Sequence, residues 1–193
     1  MSGHPAPPTT FPLVVTRVSW TWWRVHSLEH DPLHFGRETS HRFDAPAGEF
    51  GVSYVAKDVH GAFIETFGHA TGVRFVTERE LAARGLARIT TSRPLRLADL
   101  RAEGLARMGA DAALTSGPDY AMARRWARAI HAHPRGVDGI LYRARHDPAR
   151  ACSAIFDRAG AVVTARPMGS LLARKHRALL AAVLDTYKFG LIS

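Results

Sequence analysis

Residues 41–66 read HRFDAPAGEFGVSYVAKDVHGAFIET, and the pattern of this stretch is the most informative in the chain. It predicts a polar loop, then a short alternating strand, then a helix that Asp58 can cap. Arg42, Tyr54 and Glu65 lie one in each of these elements, at steps of twelve and eleven residues. A cation, an aromatic hydroxyl and a carboxylate in this order can converge on a polar small molecule that develops positive charge as it reacts.

Each of these three residues also has an ordinary structural explanation. Glu65 could be a surface glutamate on an amphipathic helix, Arg42 a loop arginine and Tyr54 a core aromatic residue. Only the joint spacing of the three residues and the sequence around them favour a functional site.

The segments around this stretch predict a mixture of strands and helices. Upstream, Thr16–Ser27 predicts one strand and residues 28–49 an irregular connection. The helix from Val59 to His69 places Ala62, Glu65 and His69 on one face. Downstream, a short helix from Thr77 to Arg84 should carry a capping box and stop at Gly85, and the other predicted elements are strands at Ala87–Thr91, Leu95–Ala98, Asp138–Arg145 and Ala151–Phe156 and helices at Leu100–Met108, Tyr120–His131 and Leu171–Tyr187.

The strands and helices do not alternate regularly, which favours an α+β domain over a doubly wound sheet. With 193 residues and 46% hydrophobic content, the chain can bury one core. We expect a disordered N-terminal tail over residues 1–12, which hold four prolines, and a single domain over residues 13–193 that ends in a C-terminal helix. No apolar run is long enough to span a membrane, and Cys152, the only cysteine, reads as buried, so we expect a cytoplasmic protein.

The net charge of +9 suggests attraction to a polyanion, which could be nucleic acid, a dinucleotide or an acidic protein. Arginine supplies most of this charge, and its dispersal among alanine and leucine is typical of solvated helix faces. We find no helix-turn-helix, zinc-finger or aromatic RNA-binding signature, and no glycine-rich phosphate loop. The eleven histidines lack the spacing of a metal site, so no metal is expected.

Several motifs between Thr21 and Gly160 resemble the RES domain family, which is named for its arginine, glutamate and serine. Each motif is short, and their shared order carries the resemblance. In chain order they are Trp23–His26, His41–Asp44, Gly51–Ala56, Ala62–Glu65, Leu97–Leu100, Trp126–Ala127, Asp138–Ile140 and Ala154–Phe156.

This resemblance implies an ADP-ribosyltransferase-like core of small packed β-sheets flanked by helices. It also implies a toxin that consumes NAD+ as its substrate, needs no cofactor, and is paired with a helix-turn-helix antitoxin that blocks the site. Nucleic acid would then be contacted only through the antitoxin. By resemblance, Arg24 and Arg42 hold the pyrophosphate and adjacent ribose, and Tyr54 packs against the nicotinamide or its ribose. Glu65 either stabilises the positive charge that develops on the ribose ring or orients the attacking water or phosphate.

One position departs from the family pattern. The family presents a serine just before an arginine, but this chain has Ala144 before Arg145. The lost hydroxyl leaves two expectations open: an NAD+-cleaving enzyme that is weakened, or an inactive domain that binds a nucleotide or a partner. Ser153 on the next strand could replace the hydroxyl. The acceptor, which could be water, phosphate or a protein side chain, and the formation of a homo-oligomer also stay open.

Overall fold

The computed structural model describes residues 7–70 and 72–193. The strands in these residues are β1 Val15–Val18, β2 Trp22–Ser27, β3 Val52–Ala56, β4 Phe75–Thr77, β5 Arg84–Thr91, β6 Leu95–Asp99, β7 Gly139–Arg143, β8 Ala151–Phe156, β9 Val163–Ser170 and β10 Gly190–Ile192. The helices are α1 Val59–Phe67, α2 Glu78–Ala82, α3 Glu103–Arg107, α4 Ala113–Ser116, α5 Tyr120–Ala132 and α6 Arg177–Tyr187. Short 3₁₀ segments occupy Asp157–Val162 and Arg174–His176.

Eight of the described strands form one sheet in the order β1-β6-β7-β8-β3-β2-β5-β9. Its pairs are antiparallel except β6 with β7, which are parallel and connected through α3, α4 and α5. β4 and β10 form a second, two-stranded parallel sheet. This arrangement confirms the α+β class, because a mostly antiparallel sheet with helices inserted at intervals is typical of it.

The large sheet is curled, and each face carries its own hydrophobic core. On one face, Val18 of β1, Trp22 of β2 and Val163 of β9 belong to one buried cluster, so strands from both ends of the sheet meet. The helices pack on the other face, where Tyr54 and Ala56 of β3 contact the larger cluster. The alternation of side chains along each strand separates the two clusters.

The strands β2 and β3 separate immediately after they meet. They share one pair, Trp23 with Ala56, and β3 then exchanges two backbone hydrogen bonds with Gly36 of the loop that joins the two strands. The helix α1 covers β2 from the helical side of the sheet. The separation of the two strands opens a cavity beside α1.

Several local predictions are confirmed. β3 spans the predicted Val52–Ala56, and Asp58 caps α1 through the N–H of Gly61. Thr77 and Glu80 form the predicted capping box at α2. Cys152 is buried.

Three local predictions are wrong. Thr16–Ser27 forms two strands, because β1 pairs with β6 while β2 pairs with β5 and β3, elsewhere in the sheet. Gly85 does not end a helix but lies inside β5, between His26 of β2 and Ser170 of β9, where a Cβ atom would come within 2.8 Å of the His26 ring. The predicted final helix from Leu171 begins later, with α6 at Arg177.

The ends of the chain also contribute to the fold. The predicted tail over residues 1–12 stays a prediction: residues 1–6 lie outside the described residues, and Phe11 packs edge-on against Trp126 with ring centroids 5.2 Å apart. Leu180 and Val183 of α6 join the core. No helix in the described part of the chain is both long and apolar enough to cross a membrane.

Candidate active site

A cavity of about 460 Å³ opens where β2 and β3 separate, within the size range of small-molecule sites. Arg24, Arg42, Tyr54 and Glu65 all line it. The structure therefore brings together the four site residues predicted from the sequence, although they come from a loop, two strands and a helix.

Glu65 projects into the cavity from α1, and both of its carboxylate oxygens accept hydrogen bonds. Oε1 accepts from the backbone N–H of Arg145 at 3.0 Å, and Oε2 accepts from the hydroxyl of Tyr142 at 3.2 Å. Burial raises the pKa of Glu65, while these two bonds and the charges of Arg42 and Arg145 act in the opposite direction. The result is an oriented carboxylate in a cavity rich in cations.

Arg42 is a buried cation, with 7% of its surface exposed. Its Nη1 donates to the carbonyl of Gly117 at 2.8 Å, and its guanidinium lies 4.6 Å from the centre of the Tyr120 ring. Its Nη2 has no hydrogen-bond partner among the described residues. Burial lowers the pKa of Arg42, and the nearby Arg145 lowers it further. A buried guanidinium with an unused donor is suited to binding an anion.

Arg24 is a second partly buried cation, and burial lowers its pKa to about 10. Its Nη1 donates to the carbonyls of Pro32 at 3.1 Å and His34 at 2.8 Å and to the hydroxyl of Ser53. These bonds hold the loop after β2 against the sheet. The remaining guanidinium nitrogens form no hydrogen bond to the described residues and could contact a ligand. The pyrophosphate role of Arg24 stays a prediction.

Tyr54 uses its hydroxyl to anchor the loop that carries Arg42. The hydroxyl accepts from the backbone N–H of Phe43 at 2.9 Å and donates to Oδ1 of Asp44 at 2.8 Å. Asp44 is 3% exposed, and its Oδ2 accepts from the N–H of His41 at 2.6 Å. Burial, and then Asp44, raise the pKa of Tyr54 well above its ordinary value. Contact of the Tyr54 ring with nicotinamide stays a prediction. The Tyr54 hydroxyl already forms its two hydrogen bonds with the loop.

Sequence reasoning gave no role to Asp44, Tyr142 or Tyr120, and it left open whether Arg143 or Arg145 turns into the cavity. Asp44 belongs to the quoted motif around Arg42, so its position was a usable signal. Tyr142 and Tyr120 come into the cavity from segments far along the chain, and no local pattern marks them. Arg145 lines the cavity, while Arg143 is exposed and donates to the carbonyl of Ala149.

The position of the missing family serine is fully enclosed. Ala144 is 1% exposed, and its N–H donates to the carbonyl of Arg150. Ser153 does not replace the hydroxyl, because it donates to the carbonyl of Ile140 at 2.8 Å and alternates with Cys152, which lines the cavity. Ser153 therefore faces away from Glu65.

The cavity wall also contains imidazole groups and the single thiol. Burial lowers the pKa of His26, His69 and His146, which favours their neutral forms, and it raises the pKa of Cys152, which disfavours a nucleophilic thiolate. His69 also lines the cavity, but from the turn after α1, because the helix ends at Phe67 and does not reach the predicted His69. In residues 7–70 and 72–193, no three His, Cys, Asp or Glu side chains are grouped so that they could hold a metal ion.

Comparisons with known proteins identify what this chain is similar to. The family model of the RES domain matches residues 21–177. A protein named probable toxin y4kH, from Sinorhizobium fredii (strain NBRC 101917 / NGR234), is 31% identical over 113 residues, which are 58% of this chain and 87% of the relative. A chain in the crystal structure of the M. tuberculosis MbcT–MbcA toxin–antitoxin complex superposes with a TM-score of 0.65 at 18% identity, over 85% of this chain and 92% of that chain. At this identity the superposition shows a shared fold.

Proposed function

The chain belongs to the RES domain family, and we propose that it is a toxin enzyme that cleaves NAD+ at the bond between nicotinamide and ribose. The family match supports the proposal, as do the probable toxin among its relatives and the toxin–antitoxin complex that shares its fold. We assign the chain to the toxin side of such a pair.

One observation carries the proposal: the buried Arg42, the partly buried Arg24 and the oriented carboxylate of Glu65 line the same cavity. Neither Arg24 nor Arg42 forms an ion pair with any described residue. Buried cations without a carboxylate partner are costly, and an anionic ligand would offset that cost. NAD+ carries a pyrophosphate with two negative charges, and guanidinium groups bind phosphate oxygens through paired hydrogen bonds.

The proposed chemistry needs positioning and one negative charge. The bond between C1′ of the ribose and the nicotinamide nitrogen breaks, and its electron pair stays on the nitrogen, so nicotinamide leaves as a neutral molecule. The ribose ring then carries positive charge, which the carboxylate of Glu65 stabilises. Attack on C1′ by water, phosphate or a protein side chain, with loss of a proton where needed, completes the reaction. Arg24 and Arg42 hold the pyrophosphate during these steps.

The proposal includes a partner that controls the enzyme. We expect a helix-turn-helix antitoxin to cover the cavity, so that this chain meets nucleic acid only through the antitoxin. The cytoplasm is the proposed compartment, because NAD+ is available there, and a homo-oligomer remains compatible with the site.

Controlled expression in a bacterial host tests the proposed activity. We expect growth arrest and loss of cellular NAD+ with the native chain, and neither effect with Glu65→Gln or Arg42→Ala. Glu103→Gln is the matched control, because Glu103 is exposed on α3 and pairs with Arg107 at 3.1 Å, outside the cavity. To identify the acceptor, purified protein is incubated with NAD+, with and without phosphate, and the molecular mass of the ribosyl product is measured by mass spectrometry.

The alternative is an inactive binding module, which the alanine at position 144 motivates. Folded protein that binds NAD+ in calorimetry but neither depletes it in cells nor cleaves it in solution would support this alternative. Folded protein that neither binds nor cleaves NAD+ would refute the enzyme and the nucleotide-binding module, and would leave binding of a protein partner as the alternative.

A further inference from the structure

The catalytic carboxylate proposed above is held by a single short segment of the chain. Both donors to Glu65, the Tyr142 hydroxyl and the Arg145 N–H, come from the end of β7 and the turn that follows it. Ala144 lies between them and contributes only a buried methyl group. In this segment, the side-chain hydroxyl that reaches Glu65 is therefore phenolic.

Tyr142 is built to keep that hydroxyl in one place. Its side chain is 3% exposed, and its ring packs edge-on against Phe43 with centroids 5.0 Å apart. Its backbone pairs with Cys152 of β8 inside the large sheet. A tyrosine has two side-chain torsions, and here packing and strand pairing restrict both of them.

The phenol acts as a donor in this contact. Burial, and then the charge of Glu65, raise the pKa of Tyr142 well above its ordinary value, so the hydroxyl keeps its proton. A phenol that keeps its proton can only donate to a carboxylate, and that bond favours the charged form of Glu65.

We propose that Tyr142 is a positioning residue that fixes the carboxylate of Glu65 for the cleavage step. Its hydroxyl would replace the hydroxyl of a serine at position 144. The kinetic consequence of this proposal rests on the proposed function. The structural part of the proposal is the coupling between Tyr142 and Glu65. The carboxylate stabilises developing positive charge best when it is already oriented, because no reorganisation is then needed as the bond breaks.

Tyr142→Phe removes the hydroxyl and keeps the ring, and it should change turnover more than substrate binding. We expect kcat to fall about tenfold, KM to stay within about twofold, and the acidic limb of the kcat profile to move up by about one pH unit. The limb moves up because the lost bond favoured the charged carboxylate. The control is Tyr187→Phe, which removes a hydroxyl that donates to Asp147 at 2.8 Å outside the cavity and should leave kcat and the acidic limb unchanged.

A titration that does not depend on enzyme activity tests the coupling directly. In the native chain labelled with ¹³C at tyrosine Cζ, the Tyr142 signal should shift as Glu65 titrates, and this shift should disappear in Glu65→Gln. If the chemical shift of Tyr142 does not change as Glu65 titrates, the proposal is overturned even if NAD+ is cleaved. A coupled signal in a chain that cleaves no NAD+ supports the positioning contact and instead refutes the proposed function. Unchanged kcat and acidic limb in folded Tyr142→Phe also overturn the proposal.

Discussion

Replacing Tyr54 with phenylalanine should loosen the loop that carries Arg42. The hydroxyl of Tyr54 accepts from the Phe43 N–H at 2.9 Å and donates to the Asp44 carboxylate at 2.8 Å. A hydrogen bond between neutral groups contributes about 0.5–1.5 kcal/mol to stability, and one to a charged group about 1.5–3 kcal/mol. The variant should therefore lose about 2–4 kcal/mol of unfolding free energy, because Asp44 stays buried with one donor fewer.

Two measurements follow from this loss. The melting temperature should fall by about 5–15 °C, since about 1 kcal/mol shifts a domain of this size by about 2–4 °C. The KM for NAD+ should rise about tenfold with little change in kcat, because Arg42 is assigned to substrate binding. Tyr187→Phe is the matched control: it loses a hydroxyl that donates to Asp147 and should lower the melting temperature without changing KM. A Tyr54→Phe protein that melts and binds like the native chain would refute the anchoring argument.

Three further predictions concern charge and hydrogen bonding. Because burial raises the pKa of Glu65 above 4.5 and cleavage needs its charged form, turnover should fall as the pH drops through that raised value; a steady-state profile with no acidic limb above pH 4.5 would contradict this. Ala144→Ser should raise kcat about two- to tenfold if the new hydroxyl reaches Glu65, and an unchanged kcat would show that it does not. Burial opposes ionisation of Asp138, but two hydrogen bonds from Arg93, at 2.7 and 2.9 Å, and one from the Arg96 N–H lower its pKa below 3.8. The charged Asp138 therefore stabilises the fold above that pH, and this stabilisation is lost as the pH falls. Asp138→Asn should lower the urea midpoint at neutral pH and match the native chain in acid, whereas an equally lowered midpoint at every pH would oppose the assignment.

Local sequence signals predicted the elements that depend on neighbouring residues. Asp58, Thr77 and Glu80 marked two helix starts correctly, because capping bonds join residues only a few positions apart. The errors at Thr16–Ser27 and Gly85 have the opposite cause. Strand pairing decides both positions, and the partners lie far along the chain.

The order of short motifs along the chain is enough to identify its family. Side-chain alternation and helix capping act over a few residues, so they also locate the elements that carry Arg42, Tyr54 and Glu65. The contacts of these three side chains, in contrast, depend on how the chain packs. Glu65 meets Tyr142 and the Arg145 N–H across 77 and 80 residues, and the positions of both donors follow from the pairing of β7 within the sheet. Hydrogen bonds act over about 3 Å. Only the packing of the whole chain brings distant segments to within that distance, and no local sequence pattern encodes it.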